Sequence, residues 1–499
     1  MRSTPSTRKA GDGGIRAVVF GVGDGGLIRE LLPLYREVVA IAFSTETCFP
    51  APLPKNLAQF VVGDWKEADQ VVSMVFSQHH AIAGLEATDF FSGHEFVGDA
   101  DVRTAFIRTF YGILSQRPCS QGDDVIDGLQ GAYHLAHSAH LLLPAPTPDE
   151  LPKLSCPAIS VCPGPSLAKH LDAIRALQDK CLIICADTAL DGLLKAGITP
   201  HIVTPLERTA NVVDESFTAA HYPGVVFAGS PAVHQAIAPK FDKHILVPGS
   251  DVLFTWMGAR PDQLFFYGQS TGVLSATLAT RLTTGPVYLV GHDLAFNDTQ
   301  SHWDEVHDGV QIGEAAPRVP TMGNNGEMVQ SQFWWVTFLR ELTSLAMETK
   351  RIHNVNAVTG DGARILHAHA SPLPDPDSLE PFSMPIWPAP NNERAEHLAT
   401  LLRCLPDDVR GILFKLSSSQ IVIADLDFSK LCPSQNKEML GYITRSILGQ
   451  FGMQHLAGQP AKEAAGDCAD ALRNALRECL PMFKQMAATP ICTQEAVCL

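Results

Sequence analysis

The chemistry in this sequence gathers at a few short stretches where tight turns meet polar side chains. "VCPGPSLAKHLDAI", residues 161–174, leaves an apolar strand pattern, turns through Pro163, Gly164, Pro165 and Ser166, and enters a helix pattern. A turn into a helix start presents unpaired backbone N–H groups and the positive end of the helix dipole, which suits an anion. Gly164 allows close approach, Pro165 fixes φ, and Ser166 either caps the helix or donates to a phosphate. An ordinary helix cap uses the same residues. The following strands favour a pocket. "CADTALDGLLKAGITPHIVTPLERT" places Asp187 and Thr188 at one strand end and Glu207 and Arg208 at the next. Further on, Ser270-Thr271-Gly272 opens another helix, and a later strand ends in Gly291-His292-Asp293. In an open parallel sheet, ligands bind at the carboxyl ends of the strands. Two helix starts aimed at one crevice suit a phosphorylated or carboxylated ligand.

A second glycine pattern lies near the start. Gly21, Gly23 and Gly26 form G-x-G-x-x-G between a strand and a helix, and Glu46 stands where a ribose-binding acid belongs in dinucleotide or S-adenosylmethionine sites. Either this loop binds a nucleotide, or its glycines only permit close helix–strand packing. No set of catalytic residues accompanies it.

The elements that must position these groups follow from periodicity. Residues 16–43 read strand, glycine loop, helix, strand. Apolar strands then alternate with helices from "AISVC" to "PVYLVG", so a mainly parallel sheet covered on both faces is expected. Pro144–Pro152 and the seven prolines of residues 372–390 read as linkers. The expected organisation is α/β: an N-terminal Rossmann-like domain over 1–143, a central Rossmann-like domain over 153–371, and a helical domain over 391–499.

At 499 residues the chain exceeds a single core. A hydrophobic fraction of 45% with 18% charged residues is that of a folded protein. The net charge of −16, with no long Lys/Arg run, excludes broad nucleic-acid binding. No apolar stretch reaches the roughly 18 residues of a membrane span, and the polar start "MRSTPSTRKAGDGG" lacks a hydrophobic signal segment, so a cytoplasmic protein is expected. The 12 cysteines include no C-x-x-C pair and read as reduced, buried thiols.

In order and spacing, "PGPSL…IICADTALDGLLKAGITPHIVTPLERT", "GQSTGV", "VYLVGHDLAFNDTQSHW" and "NVNAVTGDGARI" resemble the motility-associated factor family over roughly residues 155–366. "VVFGVGDGGLIRELL" is similar to that family's N-terminal domain. These bacterial proteins glycosylate flagellin with nonulosonic acids such as pseudaminic or legionaminic acid. Their central domain is similar to sialyltransferases that use CMP-activated sugars, and to archaeal 6-hydroxymethylpterin diphosphokinases. This chain departs at Cys162, where the family usually has glycine; at Glu207-Arg208, for Asp-Arg; and at His292-Asp293, for Gln-Asp.

The resemblance implies that Gly164, Pro165 and Ser166 cradle CMP. It implies that Asp187 and Thr188 face the cytidine or ribose, and that Glu207-Arg208 line the same crevice. Ser270, Thr271 and Gly272 would hold the sugar carboxylate or the phosphate, and Asp293 closes the strand end. Transfer to a Ser or Thr hydroxyl of flagellin needs a base near the acceptor. His302 in "DTQSHW" is the candidate and His307 the second choice. His302, Asp304 and His307 match no zinc spacing, and the Asp-x-Asp pairs follow no strand of the central sheet; with the resemblance to sialyltransferases, this implies a cofactor-free, metal-independent transfer. Asn354 and Asn356 either reach the site or stabilise a turn. Three rivals remain: a pterin diphosphokinase, a non-enzymatic nucleotide sensor or assembly chaperone, and a protein whose two α/β domains both bind ligands.

Overall fold

A computed structural model describes residues 14–42, 49–62, 88–92, 125–249, 252–256, 264, 268, 270–297, 300–303, 318–418, 436, 440 and 461–489. The chain divides into two compact units, Met1–Val125 with Val409–Cys479, and Ile126–Asp408 with Leu480–Leu499.

In the first unit β1 (Gly14–Phe20), α1 (Gly26–Leu31), β2 (Tyr35–Ala42), β3 (Leu57–Val61) and β4 (Thr88–Ser92) form a four-stranded sheet in the order β3-β2-β1-β4. All its pairings are parallel. Ala17, Val19, Val38, Ala40, Ile28 and Leu31 fill its core.

The second unit opens with α2 (Val125–Leu142), then β5 (Ala158–Val161), α3 (Leu171–Ala176), β6 (Leu182–Ala186), α4 (Asp187–Lys195), β7 (Ile202–Thr204), α5 (Asn211–Ser216), β8 (Val226–Gly229), β9 (Lys243–Leu246) and α6 (Val252–Trp256). It continues with α7 (Thr271–Leu282), β10 (Val287–Val290), the hairpin β11 (Arg318–Met322) and β12 (Met328–Gln332), α8 (Phe333–Thr349), β13 (Ile352–Asn354), α9 (Asn356–Thr359) and β14 (His369–Ala370). Eight of these strands form one sheet in the order β14-β13-β10-β5-β6-β7-β8-β9. Each pairing is parallel, as the unbroken apolar strands require. Successive strand residues face opposite ways. Ile159, Ile183 and Cys185 pack against α3 and α4 on one face; Ala158, Leu182 and Ile184 pack against α7 and α8 on the other.

The strands run outward from β5 to β9, and the chain then crosses back to place β10 on the other side of β5. The β5/β10 boundary is therefore the topological switch point, where an open α/β sheet forms its ligand crevice.

Two expected boundaries shift. Helix α2 belongs largely with the central sheet, because Leu142 enters its core and His134 bonds the Arg208 carbonyl. The C-terminal helical region is present as α10 (Glu393–Ser418) and α11 (Ala461–Ala488), but the two units share it. The proline-rich segment 372–390 is an ordered strap. Leu373 and Leu379 pack on one face of the sheet core, and Phe382, Met384 and Trp387 on the other. Lys180 donates to the Leu379 carbonyl, Phe382 N–H to the Asp179 carbonyl, and Trp387 Nε1 to the His244 carbonyl. The strap thus crosses the amino ends of β6, β7 and β9, opposite the switch point.

Arg351 holds the far end of α7. Its guanidinium donates to the Thr280, Thr283 and Gly285 carbonyls at 2.8, 3.1 and 2.6 Å. These carbonyls lack helix partners, and a cation there also complements the helix dipole. Arg351→Ala is expected to lower unfolding free energy by about 2–4 kcal/mol in a denaturant titration.

Candidate functional site

Five adjacent strand ends meet at one rim. In sheet order they carry Asn356 after β13, Asp293 after β10, Gly164–Ser166 after β5, Asp187 and Thr188 after β6, and Glu207 and Arg208 after β7. The start of α7 joins them. Thr204 Oγ1 donates to the Thr271 carbonyl at 3.2 Å, and a Cβ on Gly272 would sit 2.5 Å from the Cys162 sulfur. The structure thus brings Gly164, Ser166, Asp187, Thr271, Gly272 and Asp293 together.

At the centre stands Asp293. Its Oδ2 accepts from Ser166 Oγ at 2.8 Å and from Ser166 N–H at 3.3 Å. The donors expected to cradle a phosphate are therefore engaged by a carboxyl of the chain itself. Gly164 is required here by contact, because its φ is an ordinary −65°. A Cβ at Gly164 would overlap both Asp293 Oδ2 and the Gly291 carbonyl oxygen. Leu294 follows with φ 46°, a left-handed conformation that a branched side chain rarely adopts. Ser331 Oγ donates to its carbonyl at 2.7 Å and fixes that bend.

Both buried carboxyls are pushed toward neutrality. Asp187, 3% exposed, is raised to about 7, mainly by burial and then by the neighbouring Glu207 charge; the Thr188 N–H and the Thr271 hydroxyl oppose the shift. Asp293, 5% exposed, is raised to about 6 by burial, against the Ser166 bonds. Carboxyls that titrate near neutrality can donate, accept or move a proton, the behaviour general acid–base catalysis needs. Burial also pushes up the Cys162 thiol, with Asp187 and Asp293 adding to the effect, so it stays a neutral wall of the crevice.

Beneath the rim runs a one-way chain of hydroxyls. Ser275 Oγ donates to the Gly272 carbonyl at 2.9 Å and so accepts from Ser160 Oγ at 2.6 Å. Ser160 in turn accepts from His292 Nε2 at 3.0 Å, and burial lowers the His292 pKa to about 4, keeping the ring neutral. This chain ties β10 to β5 and the first turn of α7. The sequence reading missed it; a serine inside an apolar strand and another inside an apolar helix were its only trace.

His302 precedes a residue tied to the turn after β5. The next residue, Trp303, donates its N–H to the Pro163 carbonyl at 2.8 Å, and its ring packs where a Cβ on Gly192 would lie 2.8 Å away. His302 itself is half-buried, with Nδ1 2.9 Å from Ser301 Oγ and its ring edge-on to Trp335. His307 and Asp304 lie outside the described residues, as does Glu46. Arg208 lies along α2, its guanidinium carbon 3.1 Å from a Cβ placed on Gly131, while Glu207 is exposed.

The G-x-G-x-x-G loop has the expected backbone, with φ of 75° at Gly21 and 58° at Gly23. Its helix start is capped from within: Asp24 Oδ1 accepts the Gly26 N–H at 2.9 Å. Phe49 closes over Gly25, and Arg29 lies over the Phe49 ring. Among the described residues, no group of three or more His, Cys, Asp or Glu side chains is placed to hold a metal, and no helix is long and apolar enough to cross a membrane.

A family model described as 6-hydroxymethylpterin diphosphokinase MptE-like matches residues 135–299. It includes both helix starts and both buried carboxyls, and ends before His302. No curated protein matches the chain. Among solved structures, the MAf glycosyltransferase from Magnetospirillum magneticum AMB-1 is similar with a TM-score of 0.54 and 17% identity, over 95% of this chain and 79% of that one. At this identity the likeness is one of fold. Both findings agree with the resemblance read from the motifs, and the α/β architecture expected from the sequence is the one observed.

Two outcomes follow. Gly164→Ala drives a methyl into Asp293 and is expected to abolish ligand binding, with a loss of several kcal/mol in stability, of order 2–4. Asp187 has a folded pKa above its unfolded one, so the folded state binds the extra proton and stability falls as pH rises from about 4 to about 7. Asp187→Asn removes that dependence. By denaturation it should match the parent near pH 4 and exceed it at pH 8 by on the order of 4 kcal/mol.

Proposed function

We propose that this protein is a glycosyltransferase that moves a nonulosonic acid from a CMP-sugar to Ser or Thr hydroxyls of flagellin. The observation that carries the reading is the likeness of fold along 95% of the chain to a MAf glycosyltransferase, with the polar rim at the switch point of its central sheet. The expected cellular setting is cytoplasmic, and no metal takes part in the proposed step.

In this reading Gly164, Pro165 and Ser166 line the CMP pocket, and Ser166 also holds Asp293 in place. Asp187 and Thr188 face the nucleoside. Ser270 Oγ caps the Gly272 N–H at 3.2 Å, and the remaining N–H groups at the start of α7 take the phosphate or the sugar carboxylate. In the transfer, the bond from the anomeric carbon to the phosphate oxygen breaks and the phosphate leaves with the electron pair. The acceptor oxygen bonds the anomeric carbon, and its proton passes to a base. His302 takes that role in this reading, one residue before the Trp303 N–H that bonds the Pro163 carbonyl.

The matched family description favours a second reading, pyrophosphoryl transfer to a pterin. That reaction uses a nucleoside triphosphate with Mg²⁺, which calls for hydrated, ionised carboxylates.

Calorimetric titration with CMP, with ATP in the presence and absence of Mg²⁺, and with S-adenosylmethionine separates the readings. CMP is expected to bind without metal, at least about tenfold more weakly after Ser166→Ala or Asp187→Ala. ATP binding that requires Mg²⁺, with no response to CMP, would move the assignment to pyrophosphoryl transfer. With a CMP-nonulosonic acid and flagellin, His302→Ala is expected to lower kcat by roughly 10²–10⁴-fold.

A further inference from the structure

Asn356 is fully buried, yet neither its amide nitrogen nor its amide oxygen has a hydrogen-bond partner. It stands beside Asp293, close enough to favour that carboxyl's charged form without reaching hydrogen-bond geometry. Two residues earlier, at the end of β13, Asn354 is 1% exposed, and its Oδ1 is also unpartnered. Its Nδ2 donates to Asn324 Oδ1 at 3.3 Å. Buried polar groups in folded proteins almost always find partners, and each one left open is destabilising.

The backbone around Asn356 is not loose. Gly360 and Asp361 both donate their N–H groups to the Asn356 carbonyl, at 2.9 and 3.1 Å. Ala363 N–H donates to the Asp293 carbonyl at 2.7 Å, and Gly362, at φ 71°, lies so close that a Cβ there would be 2.6 Å from the same oxygen. Lys169 and Asp361 pair across the outside at 2.7 Å. The amide is thus clamped against Asp293 at the end of the strand beside β10, on the rim that carries Ser166 and Asp187.

We propose that Asn356 is a ligand-contacting residue of this crevice, its amide completed by the ribose–phosphate part of a bound nucleotide. An amide offers one donor group and one acceptor on neighbouring atoms. A phosphate oxygen answers the first and a ribose hydroxyl the second. The inference rests on the nucleotide-sugar reading for its probe, CMP, and extends it to a residue outside the matched family segment.

The test uses opposite signs. Replacing an unsatisfied amide with an apolar group of similar shape relieves a penalty in the free protein and removes a contact from the complex. Asn356→Leu, with Asn356→Ala as the smaller variant, is compared with the parent by thermal unfolding and by CMP calorimetry. The expected result is an unchanged or raised Tm in the leucine variant. CMP binding should weaken roughly tenfold to a hundredfold in both variants. A Tm lowered by several degrees in both variants, or CMP affinity kept within a few-fold, overturns the proposal, because the amide then has a structural partner such as a trapped water. If the parent binds ATP and not CMP, the same variants are titrated with ATP. Loss of ATP binding keeps Asn356 in the site while the CMP-sugar reading fails. A parent that binds neither nucleotide overturns both.

Discussion

The close passage of Gly164 against Asp293 is the constraint on which the rest of the crevice depends. Two strands that are neighbours in the sheet are far apart in the chain, and their carboxyl ends meet with no room for a side chain on one of them. That meeting fixes Ser166 as a donor to Asp293, places Cys162 against the bare face of Gly272, and turns Leu294 into its unusual conformation. The strain at Leu294 is held by the Ser331 bond and the packed loop at Gly362. Such strain persists only where its surroundings over-determine it, which is typical of functional sites.

Much of this was legible in the sequence. The parallel sheet followed from unbroken apolar strands, and the position of the crevice followed from polar residues at consecutive strand ends. What could not be read was who bonds whom. Pro-Gly-Pro-Ser looks the same whether it waits for a phosphate or holds an aspartate, because the partner lies 127 residues away. The prolines of residues 372–390 looked like a linker since proline excludes helix and central strand alike. An extended strap pinned by Phe382 and Trp387 obeys the same exclusion. Among candidate residues, Asn356 was ambiguous by type, and only its burial without a partner separates it from a turn-forming asparagine.

The sheet divides its labour between its two ends. Amino ends are closed by the strap and by hydrogen bonds from Lys180 and Trp387, while carboxyl ends carry the groups that titrate or lack partners. Stability drawn from the closed end supports the two half-neutral carboxyls and the open amides at the other. The arrangement matches the general tendency for binding sites to be locally unfavourable in the free protein.

Withdrawing Asp187 and Asp293 from water has a kinetic side. A chain of net charge −16 repels an anion at a distance, and carboxyls pushed toward neutrality add less to that repulsion inside the crevice than freely ionised ones would. The long-range barrier and the local site then respond to different variables. Added salt screens the first and speeds encounter, whereas pH sets the second and governs how long the ligand stays.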